Sequence, residues 1–199
     1  MSSIHRVVLP VAIAALCWLG AFAQASSSQS KTSTSTEHSM TKTKVAGEHT
    51  FLREAGYADL AEVQLGQLAE QKASSAEVKQ FAERMVNDHT KNDDQLKQVA
   101  KQEGVILPDK LSSKDEATKA RLDKLSGKEF DHAYMLDMVR DHTTDVAKFT
   151  DESKENVPSS VKNYVDQSLP TLESHLKEAR SVEPQTARAL HKTGTSKAS

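Results

Sequence analysis

Apolar side chains recur every three or four positions along four stretches of this chain, and polar or charged residues fill the positions between them. That period places the apolar residues along one face of an α-helix, whereas the alternating pattern of a half-buried strand is missing from the central region. The four predicted helices cover about residues 50–73, 74–104, 126–156 and 159–182. The charged segment 109–125 predicts one further, short helix.

The residues at the ends of these stretches support the division. Ser-x-x-Glu sequences beginning at Ser74 and Ser126 fit the capping box that starts a helix. Gly104 suits the left-handed residue that ends one, and Pro158 disfavours helix at the residue before it. Gly66 lowers helix propensity, which a close approach of two helices would explain. The sequence therefore predicts an all-α fold, a four-helix bundle with a short extra helix between the second and third long helices.

A Met-Val-x-Asp-His-Thr sequence occurs twice, with its histidine at His89 and again at His142. In each copy the methionine lies four residues before the histidine, on the same face of the helix. The aspartate just before each histidine is predicted to point away from that face. The repeat indicates two equivalent helices that present equivalent histidines to a shared interior.

Four polar residues interrupt the apolar faces, one on each long helix: Glu62, His89, His142 and His175. Counting from the helix ends at a rise of about 1.5 Å per residue places all four at a similar height. Three neutral imidazoles and one carboxylate are ligands suited to zinc, iron, manganese or copper. The pattern predicts one mononuclear metal site in the core. The alternative it leaves open is a metal-free polar layer whose side chains hydrogen-bond one another.

Other candidate chemistry is sparse. Asp131 and Tyr134 share a helix face with His142 and are predicted as secondary polar positions around the site. The sequence contains no phosphate-binding Gly-rich loop, no Gly-x-Ser-x-Gly sequence, no His-Glu-x-x-His sequence and no cysteine pair. No catalytic residue is predicted, and an enzymatic reaction is the less favoured interpretation.

The two ends of the chain differ from its centre in composition. Residues 1–25 have the polar start, apolar run and small-residue cleavage site of a signal peptide. Residues 26–48 predict a Ser/Thr-rich disordered linker and residues 184–199 a disordered tail, which leaves residues 49–183 for the bundle. Cys17, the only cysteine, would leave with the signal peptide, so no disulfide is expected.

The charge of the chain after cleavage restricts its partners. Removing Arg6 with the signal peptide leaves 25 basic and 28 acidic side chains, a formal charge of −3. This near-neutral balance gives no basis for nucleic-acid binding. We expect a periplasmic or secreted bacterial protein with no membrane span after cleavage. The sequence allows a homo-oligomer as well as a monomer.

Four stretches of sequence together resemble domain of unknown function 4142, a family of exported bacterial proteins often labelled predicted outer-membrane proteins. The matching residues are EVQLGQLA at 62–69, VKQFA at 78–82 with Met85-Val86-x-Asp88-His89, Leu125-Ser126-Gly127 with Phe130-Asp131-x-x-Tyr134-Met135, and Leu169-Pro170-x-Leu172-x-x-His175-Leu176. The resemblance covers roughly residues 50–182. It implies a ferritin-like helical bundle and export, and it implies no particular activity.

The positions that match the family's motifs include those selected above from spacing alone. The family's motif positions in this chain include Glu62, His89, Asp131, Tyr134, His142 and His175. The resulting hypothesis is a ferritin-like bundle that binds a single transition metal for buffering, storage or protection against oxidative stress. The alternative is a non-catalytic structural or interaction domain of the cell envelope with a metal-free polar layer.

Overall fold

The structure is a computed structural model that describes residues 32–195, with side chains described for residues 45–192. Over the described range the chain forms five α-helices and no strand, which confirms the all-α prediction and the short extra helix. The helices are α1 (Thr32–Lys72), α2 (Ala76–Glu103), α3 (Ser113–Asp123), α4 (Gly127–Glu152) and α5 (Ser159–Thr195). The predicted signal peptide lies outside the described residues. Among the described helices, none combines the length and apolar composition that crossing a membrane requires.

The long helices pack as two hairpins. The short connections 73–75 and 153–158 fold α1 against α2 and α4 against α5. Further contacts of α2 with α5 and of α1 with α4 join the hairpins, while α3 touches α1 and α4. This arrangement brings one face of each long helix into a shared interior.

Two apolar clusters fill that interior, one towards each end. The first contains Phe81, Phe130, Tyr134 and Met138, and the second contains Phe51, Leu96, Phe149, Val161 and Leu172, among others. On every long helix, buried polar residues lie in sequence between the part that joins the first cluster and the part that joins the second. The interior therefore has a polar layer between two apolar ones.

Glycine permits the close approach that the sequence predicted for α1 and α2. A Cβ atom placed on Gly66 would lie 2.8 Å from Val86 Cγ2 and 3.1 Å from the carbonyl oxygen of Ala82. Those distances are too short for any larger residue, so Gly66 sets the separation of the first hairpin near the polar layer.

The predicted helix starts are correct to within a residue or two, but the predicted capping boxes are wrong. Ser75, not Ser74, is the N-cap of α2, and its side chain accepts a hydrogen bond from Val78 N. Ser74 is instead bound by Asp131, whose carboxylate accepts bonds from the Ser74 hydroxyl and from the backbone N–H groups of both serines. Ser126 is the N-cap of α4 but makes no side-chain capping bond. Gly104 ends α2 with φ 69°, as predicted.

Helices α1 and α5 extend into the ranges predicted as linker and tail. Residues 32–48 belong to α1, and residues 184–195 belong to α5. Adding a turn to a helix that is already packed requires no new nucleation, so polar composition alone does not end it. Glu48 and Thr186 are buried, and the Thr186 hydroxyl lies 3.3 Å from His132 Nδ1. The α5 extension therefore packs against α4, and the α1 extension is buried at Glu48.

Candidate metal site

Three buried histidines meet in the polar layer, and each comes from a different helix. His142 Nε2 lies 3.4 Å from His89 Nε2 and 3.3 Å from His175 Nδ1. One ring nitrogen from each residue falls within 4.8 Å of the other two. All three side chains are almost fully buried. The repeat thus places His89 and His142 next to each other, with their rings nearly perpendicular, and their equivalent positions predicted this meeting.

The spacing of these nitrogens fits a metal ion. Two nitrogens bound about 2.0–2.1 Å from a tetrahedral ion are separated by about 3.3–3.4 Å. The two separations at His142 match that value. The three histidines together could therefore supply one face of a tetrahedral site.

The outward nitrogen of each ring has its own acceptor. His89 Nδ1 lies 2.8 Å from Asp59 Oδ1, and His175 Nε2 lies 3.1 Å from Asp88 Oδ2. His142 Nδ1 lies 3.1 Å from the carbonyl oxygen of Met138. Because carboxylate and carbonyl oxygens accept hydrogen bonds, these contacts place a proton on the outward nitrogen. The inward nitrogen of each neutral ring then carries a lone pair, which is the form that binds metal.

Without an ion, the inward lone pairs would repel one another, and a proton on one ring relieves the repulsion with its neighbour. Burial lowers the pKa of His89, but the hydrogen bond and the charge of Asp59 outweigh it and raise that pKa above its usual value. Burial and the nearby charge of His89 lower the pKa of His175 to about 4. Burial, followed by the charges of His89 and His175, holds the pKa of His142 well below its usual range. His89 is therefore the ring that takes the proton in the metal-free protein.

Glu62 lies beside the histidines but outside their meeting point. Its Oε1 is 3.8 Å from His142 Nδ1, the nitrogen that faces away from the other two rings. Its Oε2 is buried and has no hydrogen-bond partner among the described residues. Burial, and then the charges of neighbouring aspartates, raise the pKa of Glu62 to about 8 although His89 opposes the shift. The structure thus brings three of the four predicted ligands together and places the carboxylate behind one of them.

Asp131 and Tyr134, the predicted secondary positions, make their hydrogen bonds and ring contacts outside the histidine cluster. Asp131 binds Ser74 and Ser75 at the start of α2 and so joins α4 to the first hairpin. The Tyr134 ring stacks on Phe130 in the first apolar cluster, with ring centroids 5.9 Å apart. Neither residue contacts a histidine of the cluster through a hydrogen bond in the described part of the chain.

Sequence reasoning missed the partners of the outward nitrogens. Asp59 lies three residues before Glu62 and so shares its helix face, but no local motif distinguishes it. Its carboxylate also accepts hydrogen bonds from the Asn92 amide, which in turn donates to the Tyr164 hydroxyl. Asp88 was expected to point away from the interior, and its side chain is 26% exposed, yet it reaches His175 on α5. Only the packing of α2 against α5 reveals this contact.

A cleft between α2 and α5 leads to the cluster. It encloses about 250 Å³ and is lined by polar side chains that include Asp88, Asn92 and Ser168, together with His89 and His175. The two histidines thus connect the buried layer with the surface.

The fold and this cluster define an all-α protein with three buried histidines that could hold a metal ion. The chain belongs to the family of domain of unknown function DUF4142, whose sequence model matches residues 29–182. This confirms the resemblance seen in the sequence. None of the curated proteins matches the chain significantly.

Two solved structures share the fold. A DUF305 fragment from Deinococcus radiodurans is similar with a TM-score of 0.62 and 15% identity, over 69% of this chain and 95% of that one. A DUF305 protein from Streptomyces coelicolor is similar with a TM-score of 0.60 and 13% identity, over 69% of this chain and 90% of that one. At these identities the likeness shows the fold alone.

Proposed function

We propose that this protein is an exported, ferritin-like four-helix bundle that binds one transition-metal ion through His89, His142 and His175. The observation that carries the proposal is the pairing of every outward nitrogen with an acceptor while the three inward nitrogens converge. Histidine ligands in metal sites have this second contact as a rule, since it fixes the ring and directs its lone pair at the ion. A plain polar layer has no need to direct three lone pairs at one point.

The donor set restricts the metal. Imidazole nitrogen suits zinc, copper and iron, whereas manganese prefers oxygen ligands. Because the Glu62 carboxylate lies behind His142 and outside the converging group, we favour zinc or copper over iron, and iron over manganese.

Buffering or storage of that ion, or protection against the oxidative damage that a free ion causes, fits the surroundings of the site. The cluster is buried in the polar layer, so a bound ion is shielded from most solutes. The cleft at His89 and His175 offers a route by which an ion exchanges with solvent. The predicted signal peptide at residues 1–25 supports a periplasmic or secreted location for this activity.

A structural or interaction domain of the cell envelope is the second candidate, and one observation favours it. The Asp59–His89 pair lets His89 carry a proton, which it can donate to His142 across the 3.4 Å contact. That hydrogen bond satisfies the His89–His142 contact without metal. The two proposals differ in whether an ion replaces that proton.

Elemental analysis by plasma mass spectrometry separates the two proposals. The sample is the mature protein purified without a histidine tag, compared with the His89→Ala/His142→Ala double variant. We expect near-stoichiometric metal in the wild type and none in the double variant. His132→Ala is the matched control, because this half-buried histidine on α4 lies outside the cluster, and it should keep the metal. Wild-type protein that takes up no zinc, copper, iron or manganese would overturn the metal proposal.

A further inference from the structure

A second cavity meets the polar layer from the side of α1, α3 and α4. It encloses about 350 Å³ and reaches Glu62. Its charged lining residues are the acids Glu54, Glu62, Asp115, Asp141 and Asp145 and the bases Lys114 and Lys148. Five acids against two bases give the cavity a formal charge of −3 when all are ionised, which favours a cation.

The two lysines are paired with acids other than Glu62 and Asp145. Lys148 Nζ lies 2.6 Å from Glu54 Oε2, and Lys114 Nζ lies 3.5 Å from Asp141 Oδ1. Within the part of the chain whose side chains are described, no lysine or arginine forms an ion pair with Glu62 or Asp145. Asp115 has no such ion pair either, but its carboxylate accepts a hydrogen bond from the Ser112 hydroxyl, which leaves Glu62 and Asp145 as the candidate ligands.

Glu62 supplies an observation independent of the charge count. The residue is only 2% exposed, and its Oε2 has no hydrogen-bond partner among the described residues. A buried polar oxygen without a partner is costly and is rarely left so in a folded protein. Because Glu62 lines the cavity, a bound cation there would satisfy this oxygen.

We propose that Glu62 and Asp145 hold a second divalent cation at the inner end of this cavity, separate from the histidine site. Oxygen donors select harder cations, of the class of magnesium, calcium and manganese. Magnesium sites commonly use one or two carboxylates and complete their coordination with water. Since a water molecule occupies about 30 Å³, the cavity has room for several.

The ring of His142 separates the two proposed sites. Its Nε2 faces the other histidines, while its Nδ1 lies 3.8 Å from Glu62 Oε1. The nitrogen site and the oxygen site thus lie on opposite edges of one imidazole and would select different classes of ion.

Manganese, which electron paramagnetic resonance detects directly, is the probe for this site. The titration uses wild-type protein already saturated with zinc and, in parallel, the His89→Ala/His175→Ala variant, which keeps His142 beside Glu62. We expect about one bound manganese ion per chain in both samples. Glu62→Gln, which preserves the shape of the side chain, and Asp145→Asn should each weaken binding by about tenfold or more, through loss of a charged oxygen ligand.

Asp151→Asn is the matched control. Asp151 lies on α4 beyond the cavity, is exposed and pairs with Lys154 at 3.0 Å, so manganese binding should be unchanged. Unchanged binding in Glu62→Gln, an equal loss in Asp151→Asn, or no manganese binding by the wild type would each overturn the proposal. If the histidine variant fails to fold, the manganese titration of the zinc-loaded wild type still tests the proposal. Wild-type protein that binds manganese but no zinc would overturn the histidine site alone.

Discussion

The two copies of the Met-Val-x-Asp-His-Thr sequence fold alike, yet their histidines have different chemical surroundings. His89 Nδ1 contacts the Asp59 carboxylate at 2.8 Å, whereas His142 Nδ1 contacts a backbone carbonyl at 3.1 Å. Burial lowers the pKa of both rings, and only at His89 does a neighbouring carboxylate outweigh it. The local sequence sets the height and direction of each ring, while the neighbouring helix sets its charge.

The aspartates of the two copies differ as well. Asp88 accepts a hydrogen bond from His175 and so supports the histidine cluster. Asp141, its counterpart, pairs with Arg140 and Lys114 and lines the acidic cavity. The repeat therefore contributes one aspartate to the histidine cluster on one side of the polar layer and the other aspartate to the acidic cavity on the opposite side. One sequence acquires two roles because the helices packed against it are not repeated.

Among the variants, His142→Ala should lower zinc affinity the most, because it removes the ring that lies between the histidine site and the acidic cavity. Loss of an outer partner of a histidine ligand costs about 10–100-fold in metal affinity, so loss of the ligand itself should cost about 100-fold or more. Calorimetric titration with zinc measures this change. His132→Ala is the control on the same helix, and equal zinc affinity in His142→Ala and wild type would contradict the histidine site.

Glu62→Gln should change how the stability of the metal-free protein depends on pH. The pKa of Glu62 is raised to about 8 in the folded protein from 4.5, chiefly by burial. Between these values the unfolded chain has lost the proton that the folded chain keeps, so the free energy of unfolding falls as pH rises. From about pH 6.5 to 8 this loss amounts to roughly 2 kcal/mol.

Urea unfolding in the presence of a chelator measures this loss. The wild type should lose more stability over that interval than Glu62→Gln, which has no proton to release at this position. The charge of Glu62 also helps to raise the pKa of His89, so the variant loses part of that contribution as well, and both changes flatten its pH profile. Parallel pH profiles for the two proteins would show that Glu62 titrates normally.

The sequence predicted more of this fold than of the site. Helical periodicity gives the long helices directly, and the repeat gives the equal height of His89 and His142. A count along each helix also brings His175 to that height, but it cannot tell which edge of a ring faces the centre. That edge depends on Asp59 and Asp88, which reach their histidines across helices 30 and 87 residues away in sequence. The position of Glu62 behind His142 depends on the same packing.

Asp59→Asn should weaken metal binding by about 10–100-fold, because it removes the charged acceptor that fixes the His89 ring. It should also lower the pKa of His89, since burial then acts without the opposing carboxylate. Calorimetry with zinc and a titration of the ring signals by nuclear magnetic resonance measure the two effects. Asp93→Asn, at a nearby aspartate paired with Lys97, is the control. An unshifted His89 pKa would remove the basis for the difference between the two copies.

Asp88→Asn should produce the smallest effect, about tenfold or less in zinc affinity. Asp88 has the same kind of contact with its histidine as Asp59 has, so chemistry alone predicts equal losses. The difference lies in solvent, because the Asp88 side chain is 26% exposed and that of Asp59 is 2% exposed. Water in the cleft can replace the lost acceptor at His175, whereas the burial of Asp59 gives water less access to His89 Nδ1. Equal losses in Asp59→Asn and Asp88→Asn would show that charge, and not access to water, decides how firmly each ring is held.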